Sequence, residues 1–546
     1  MKTSSAAVLF FILALAAQDV PSPVSAQSEG RVEGKVLNSA NGEPVRKVTV
    51  TLATRKGAQG TSYVAESDVR GKFAIEAVEP GEYTIVADRQ GFIIKTPGAS
   101  GTPSPPLKVE SGQPVPEITI MLVPLGVITG RVMDADGDPI RGADVRAMQY
   151  MYMAGKQQLR TMSQVSADDK GEFRLHGLRP GTFYLQASGR SLQMSFAQPG
   201  DQIRGPRPPS ANASTFYPST TDIAHAVPVE VAAGALLRGI DIHLRREGAY
   251  AVRGKFPQDE RPEPFGGYFV QLLPREGDRN SRFGMRRTRD VFEIPGVPAG
   301  SYVIVGARTD LEKRTYAYIP VDVTNEDVDL GTLTFSPGLD ISGVIQMEGG
   351  KQRPPDLRVG LQPETPTMSG SPGTEVKPDG SFVLRDVGPA VYQLNLITLS
   401  GSYLKSIKLD DHVLQDRRID LTQGGARLAV VLATDVALVE GSVKKGDGEP
   451  AVRVRVTLVP VGDQFGSQDV PLYAFSNEKG EFKMNNVPPG EYKIFAWEEV
   501  QAGAAMDPEF RKPFEKRGVA LKIPPNGHAN ADLTAISLAE MQQPKP

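Results

Sequence analysis

Apolar and polar residues alternate along the chain in a recurring design. From Phe73 to Ile75, and again from Tyr83 through Ile85 to Ala87, apolar residues take every second position, the pattern of a strand with one buried face. The two runs return at Phe173/Leu175 with Phe183/Leu185/Ala187, and at Phe292/Ile294 with Tyr302/Ile304/Gly306. They return again at Phe382/Leu384 with Tyr392/Leu394/Leu396, and at Phe482/Met484 with Tyr492/Ile494/Ala496. In every copy the second aromatic follows the first by 10 positions, with Gly or Ala two residues before it. These ten aromatics are the expected structural core of the repeat.

Turn signals frame both runs. Asp68-Val-Arg-Gly71, Asp168-Asp-Lys-Gly171, Lys377-Pro-Asp-Gly380 and Asn477-Glu-Lys-Gly480 precede the first run, and Pro80-Gly81, Pro180-Gly181, Ala299-Gly300, Pro389-Ala390 and Pro489-Gly490 separate it from the second. Upstream, Val32-Glu-Gly34-Lys-Val36 with Gly42-Glu-Pro44 reads as strand and turn; Ile128 to Val132 with Gly137-Asp-Pro139, and Val439 to Val443 with Gly448-Glu-Pro450, repeat it. Val252-Arg-Gly254 and Ile341-Ser-Gly343 are shorter versions. A closing strand is expected at Ile118–Leu122, Ile240–Leu244, Leu330–Phe335, Leu428–Leu432 and Ala531–Leu538. With a period of about 100 residues and no sustained helical periodicity, the pattern predicts an all-β chain. It is a tandem array of five antiparallel, Ig-like or prealbumin-like β-sandwiches at 27–125, 126–247, 248–337, 338–434 and 435–546. Pro-, Gly- and Ser-rich stretches at 96–116 and 191–233 read as long loops of the first two sandwiches. Short linkers suggest an elongated row of modules.

The combination Gly-x-Val, Gly-Glu-Pro, Asp-x-x-Gly-x-Phe-x-Ile and Val-x-Pro-Gly-x-Tyr resembles the carboxypeptidase regulatory-like domain, a prealbumin-like sandwich related to starch-binding-like and bacterial surface B-type repeats. The first, second and fifth units carry it most fully. The third and fourth lack the Gly-x-Pro turn. The resemblance implies an accessory domain of metallocarboxypeptidases, without a peptidase activity of its own.

Composition narrows the setting. Lys and Arg total 61 against 64 Asp and Glu, a net charge of -3, which leaves no electrostatic footprint for nucleic acid. Lys2, the 12 apolar residues Ala6 to Ala17 and the small-residue site Val24-Ser25-Ala26 form the pattern of a secretory signal peptide, residues 1–26. With 0 Cys, disulfides and thiolate metal sites are excluded, and a disulfide-free exported chain of 546 residues points to a bacterium. No later run is long enough for a membrane span. The expected location is the periplasm, cell surface or exterior.

Chemistry is sparse. The five histidines, His176, His225, His243, His412 and His528, are scattered, and none has a Glu at zinc-peptidase spacing. There is no Gly-x-Ser-x-Gly elbow and no phosphate loop. Asp134-Ala-Asp136-Gly-Asp138 has calcium-like spacing, but Pro139 and Val145 stand where a calcium loop needs Gly and Glu, so a polar turn is expected. No catalytic residue, metal or cofactor is assigned. If Tyr492, Ile494 and Ala496 face inward, Phe495 and Trp497, the only Trp, face outward, and their rings are the candidate ligand-binding residues for stacking on sugar. Cover by Phe510 and Phe514, or by a neighbouring domain, is the competing expectation. Tyr150 and Tyr152 lie in Met148–Met153, apolar on both faces and expected to be buried. The functional expectation is a non-enzymatic, exported binding, adhesion or spacer element of the bacterial cell envelope, with a polysaccharide or envelope protein as partner. The alternatives are a carbohydrate-binding protein using the fifth domain, or an accessory subunit of a hydrolase.

Overall fold

The computed structural model describes residues 30–542 apart from 55–60, 96–105, 112, 154–155, 190–194, 197–209, 259–266, 276–282, 289, 309–313, 366, 398–400, 411, 425–426 and 463–471. The expected signal peptide lies outside the described residues, as do 96–105 and most of 191–209 in the two expected loops. By internal contacts the chain falls into two compact units, one holding the first sandwich up to Gln90 together with Ser104–Leu122, and the other holding Gly91–Pro103 and the chain from Val123 onward.

All five sandwiches share one wiring. In the first, Gly30–Asn38 lies antiparallel to Lys72–Val78 and parallel to Ile118–Pro124. The facing sheet runs Ser62–Glu66, Thr49–Thr54, Gly81–Asp88, Leu107–Val109. The opening strands Gly126–Met133, Tyr250–Lys255, Leu339–Met347 and Ala437–Lys444 repeat the arrangement. Each has an antiparallel neighbour carrying the first aromatic, and a parallel neighbour at Ile242–His243, Val328–Thr332, Arg427–Ala433 and His528–Thr534 respectively. Pairing within each sandwich is thus antiparallel apart from this parallel neighbour, which in the second sandwich is joined by Leu236–Leu237. Its consequence is topological: first and last strands that run the same way bring the chain in at one end of a module and out at the other, so short linkers suffice. The last strand of the fifth sandwich starts earlier than expected, at His528, because the small residues Ala529 and Ala531 supply its inward positions. Leu538–Gln542 is helical instead.

The repeated residues hold this frame together. All ten frame aromatics are buried. The opening glycine lies directly opposite the first aromatic in every register, Gly34 on Phe73, Gly130 on Phe173, Gly254 on Phe292, Gly343 on Phe382 and Gly441 on Phe482. A Cβ added at Gly34, Gly254 or Gly343 would lie 2.6, 2.6 or 2.1 Å from the facing ring, and at Gly441 it would lie 1.8 Å from the Ala531 carbonyl oxygen. The ring thus occupies the space a side chain would take, as aromatics do over strand glycines. Four residues after the first aromatic the backbone is left-handed in each copy, at Ala77, Gly177, Gly296, Asp386 and Asn486, and a register shift sits beside it.

The second aromatic closes the corner. The hydroxyls of Tyr83, Tyr302, Tyr392 and Tyr492 donate to the carbonyls of Glu79, Pro298, Gly388 and Pro488 at 2.7, 3.0, 2.7 and 2.8 Å. Phe183 fills the same buried place without that bond. The Asp-x-x-Gly motif is an Asx turn: Asp68 Oδ1 accepts from the amides of Arg70 and Lys72, Asp168 from Lys170 and Glu172, and Asn477 from Lys479 and Glu481.

Within the larger unit the modules are joined by more than linkers. Ser195–Phe196, from the long connection of the second sandwich, pairs with Arg286–Arg287 of the third. The Tyr316 hydroxyl of the third donates to Asp386 of the fourth at 2.9 Å, and Tyr403 of the fourth donates to Asp435, at the start of the fifth, at 3.0 Å. Contacts between chain neighbours are not the whole account, however, because the second and fifth sandwiches also touch.

Candidate functional site

Gly490–Trp497 places its residues on two faces as its alternation requires. Tyr492, Ile494 and Ala496 enter the core between the sheets, while Phe495 and Trp497 enter a separate cluster with Val459, Val500, Ala504, Ala505 and Ile536. The stacking site expected from sequence does not survive as an open face: Phe495 and Trp497 are each 0% exposed. Their two rings stack at 5.6 Å, and Phe510 and Phe514 close over Trp497 at 5.6 and 5.4 Å. The physical reason is the size of the apolar area. Two aromatics of roughly 150–250 Å² each are stabilised far more by burial than by exposure, and the segment that follows them folds back to cover them.

That covering segment, hereafter the flap, runs from Val500 to Gly518 through three short helical turns, Ala504–Met506, Pro508–Arg511 and Lys512–Arg517. Asp507 caps the middle turn by accepting from the Glu509 amide at 2.9 Å, and Pro508 takes the first position, where no amide donor is needed. The flap is pinned to its own sheet by Lys493, whose Nζ lies 2.6 Å from Glu515 Oε2. That bond, with Arg511 nearby, holds the Glu515 carboxyl below the usual carboxylate range. Arg517 pairs with Glu540 at the chain's final helix.

The second sandwich adds to this cover. Tyr152 meets Phe510 edge to face at 5.8 Å and is half-buried, and Gln501 Nε2 donates to the Tyr150 carbonyl at 3.2 Å. Tyr150 packs edge to face on Tyr184 at 5.3 Å. Burial pushes the Tyr152 phenol up, and the nearby Asp507 carboxylate adds to the effect. Both competing expectations for Phe495 and Trp497, cover by the following segment and packing by another domain, are therefore realised at once. The sequence signal for the second was the run Met148–Met153, apolar on both faces in a chain that otherwise alternates. A remaining exposed aromatic, Tyr473, is 42% exposed and lies beside the buried Arg455, whose guanidinium carbon is 4.6 Å from its ring centre.

The other candidate chemistry resolves into structure. Asp134 Oδ1 accepts from the amides of Asp136 and Asp138, and Arg246 reaches Asp134 and Asp136 at 3.0 and 2.7 Å, so a guanidinium neutralises the supposed cation loop. The Asp138 amide foremost, then the Asp136 amide and Arg246, hold the Asp134 carboxyl below its ordinary value. His243 points outward from its strand; His225 pairs with Asp222 at 3.0 Å and His528 with Glu440 at 3.1 Å. Among the described residues no group of three or more His, Asp or Glu is arranged to hold a metal ion. A polar cleft of about 300 Å³ lies where the third and fourth sandwiches meet, lined by Arg314, Ser369, Thr374, Arg385 and Asp386 among others. Among the described residues no helix is long and apolar enough to cross a membrane.

Comparison with known proteins gives one family match and a set of distantly similar structures. Residues 31–123 and 127–197 match the model of the carboxypeptidase regulatory-like domain, so the first sandwich and the first part of the second are similar to domains of that kind. The fifth, which carries the same motif residues, lies outside the matched segments. Among solved structures, the streptococcal ancillary pilin is similar over 53% of this chain and 98% of its own, at 11% identity and a TM-score of 0.20. GBS52, the minor pilin of Streptococcus agalactiae, is similar over 43% and 99%, at 11% identity and 0.21. BcpA, the major pilin subunit of Bacillus cereus, is similar over 76% and 99%, at 11% identity and 0.14. No curated protein matches the chain.

Proposed function

We propose that the chain is a non-enzymatic modular protein of the bacterial cell envelope, working there as a binding, adhesion or spacer element. One observation carries the reading: the residues that the five modules share are spent on the frame. The opening glycine accommodates the first aromatic in all five, the second aromatic closes the corner with a hydroxyl bond in four, and an Asp or Asn caps the turn in the first, second and fifth. A catalytic site needs titratable groups converging on a cleft; here most of the carboxylates described above are tied into turns and ion pairs, and His225 and His528 are paired with Asp222 and Glu440.

Two measurements test the proposal. Cell fractionation should place the full chain in the envelope or medium, and a chain lacking residues 1–26 in the cytoplasm; a full chain retained in the cytoplasm refutes the location. Purified mature protein should show no turnover on peptide, ester and glycoside panels, with or without added divalent metal. A turnover abolished by a single substitution among the described carboxylates or histidines would refute the non-enzymatic reading.

A further inference from the structure

Two elements stand outside the shared frame, and they meet each other. In the first sandwich the hairpin strand Thr49–Thr54 is paired along its length with the central strand Gly81–Asp88. In the second, Asp144–Met153 is paired with Gly181–Ser188 only from Asp144 to Met148, whereas its pairing with Lys156–Ser166 continues to Met153. Gln149 to Met153 therefore overhang the sheet as a two-stranded arm of about 16 Å at roughly 3.3 Å per residue. A register shift at Ala147/Met148 marks its base. The flap of the fifth sandwich is the other addition, and it receives the arm.

The seat is specific but small. Tyr152 rests edge-on against Phe510, Gln501 bonds the Tyr150 carbonyl, and Gly503 comes so close that an added Cβ would lie 2.9 Å from the Tyr152 carbonyl oxygen. Gly503 also has φ +83, which L residues with side chains rarely adopt. Beneath the seat, Trp497 keeps Phe510 and Phe514 of its own module, and the flap keeps its Lys493–Glu515 anchor. The contacts that hold the flap to the fifth sandwich thus lie within that module and do not run through the arm.

We propose that arm and flap form an intramolecular latch, a contact between the second and fifth sandwiches that opens and recloses while both stay folded. The occupant of the flap is this chain's own arm. Closed, the latch completes a circuit of contacts from the second sandwich through the third and fourth to the fifth and back; open, it leaves these modules joined in chain order alone and exposes Phe510 and Tyr152 on separate modules.

The absence of cysteine makes the test direct. In Tyr152→Cys/Gly503→Cys the two β-carbons lie about 3.2 Å apart, near disulfide range. The intramolecular disulfide is equilibrated against glutathione in the full chain, with Trp497 emission read in parallel. A flexible tether gives effective concentrations of the order of mM; a seated arm should exceed that at least 100-fold, and the product should run as a monomer on a non-reducing gel. With added urea, the effective concentration should fall to about mM before Trp497 emission changes. Values near mM from the outset, covalent dimers in place of monomers, or loss only together with the Trp497 transition would each overturn the latch. If Gly503→Cys itself shifts the native emission, the coupling between Tyr152→Ala and Phe510→Ala is measured in the cysteine-free chain instead; strictly additive effects on the Trp497 transition would overturn the latch.

Discussion

The tyrosine corner offers a measurement on one module out of five. The Tyr492 hydroxyl donates to the Pro488 carbonyl at 2.8 Å, with the ring 1% exposed and Pro488 buried. Tyr492→Phe keeps the ring, removes the donor and leaves a buried carbonyl short of a partner. A net hydrogen bond contributes about 1 kcal/mol, and stranding a buried acceptor costs about 1–3 kcal/mol, so a loss of about 1.5 kcal/mol is expected. For a module of this size, with a urea slope of about 1.5 kcal/mol/M, the midpoint should fall by about 1 M. Trp497 supplies the readout: it is the only tryptophan, it is 0% exposed, and it belongs to the same module. Tyr83→Phe is the control, since Tyr83 makes the equivalent bond to Glu79 in the other compact unit and should leave the Trp497 transition unmoved. A shift below about 0.2 M for Tyr492→Phe at unchanged slope, or an equal shift for Tyr83→Phe, would refute the reasoning.

The same tyrosine predicts a pH dependence. Burial pushes its phenol up to about 12 from an ordinary value of 10.0, so the folded module holds the proton longer than the unfolded chain; the stabilisation is full below pH 10 and drains away as pH climbs towards 12. Urea titrations read by Trp497 should show that decline, and Tyr492→Phe should flatten it. Gly441→Ala drives a Cβ to 1.8 Å from the Ala531 carbonyl and should lower the Trp497 midpoint by the equivalent of about 1–3 kcal/mol, whereas Gly446→Ala, with nothing within 4 Å, should leave it in place. Acrylamide and neutral oligosaccharides should barely quench Trp497 in the intact chain; saturable quenching by a sugar would show that the covered face opens to ligand.

What could be read from the sequence was local, and what escaped was remote. Phe482, Met484, Tyr492 and Ile494 announce their strands because period-two alternation and Gly-Pro turns depend on neighbours within a few residues, and all four are buried. The parallel pairing of Ala437–Lys444 with His528–Thr534 joins segments about a module apart, and no local pattern encodes it. Alternation correctly assigned Phe495 and Trp497 to the second face. It could not say that the face was occupied, because part of the cover comes from Tyr152 in another module. The left-handed bulge residue was also hidden, since Ala77, Gly177, Asp386 and Asn486 share a backbone conformation without sharing a side chain.

The junctions suggest why five copies of one frame need not behave as five identical beads. In each module of the larger unit, the chain that follows the second aromatic strand builds the contact to another module. After Gly181–Ser188 it lends Ser195–Phe196 to the third sandwich; after Gly300–Arg308 it brings Tyr316 to Asp386. After Val391–Ile397 it brings Tyr403 to Asp435, and after Gly490–Trp497 it forms the flap that receives the arm. The frame tolerates this because its own demands, the glycine under the first aromatic and the corner under the second, are met before that connection begins. Selection can lengthen, charge or stiffen the connection at little cost to the core, so coupling between modules and stability within them are set by different residues.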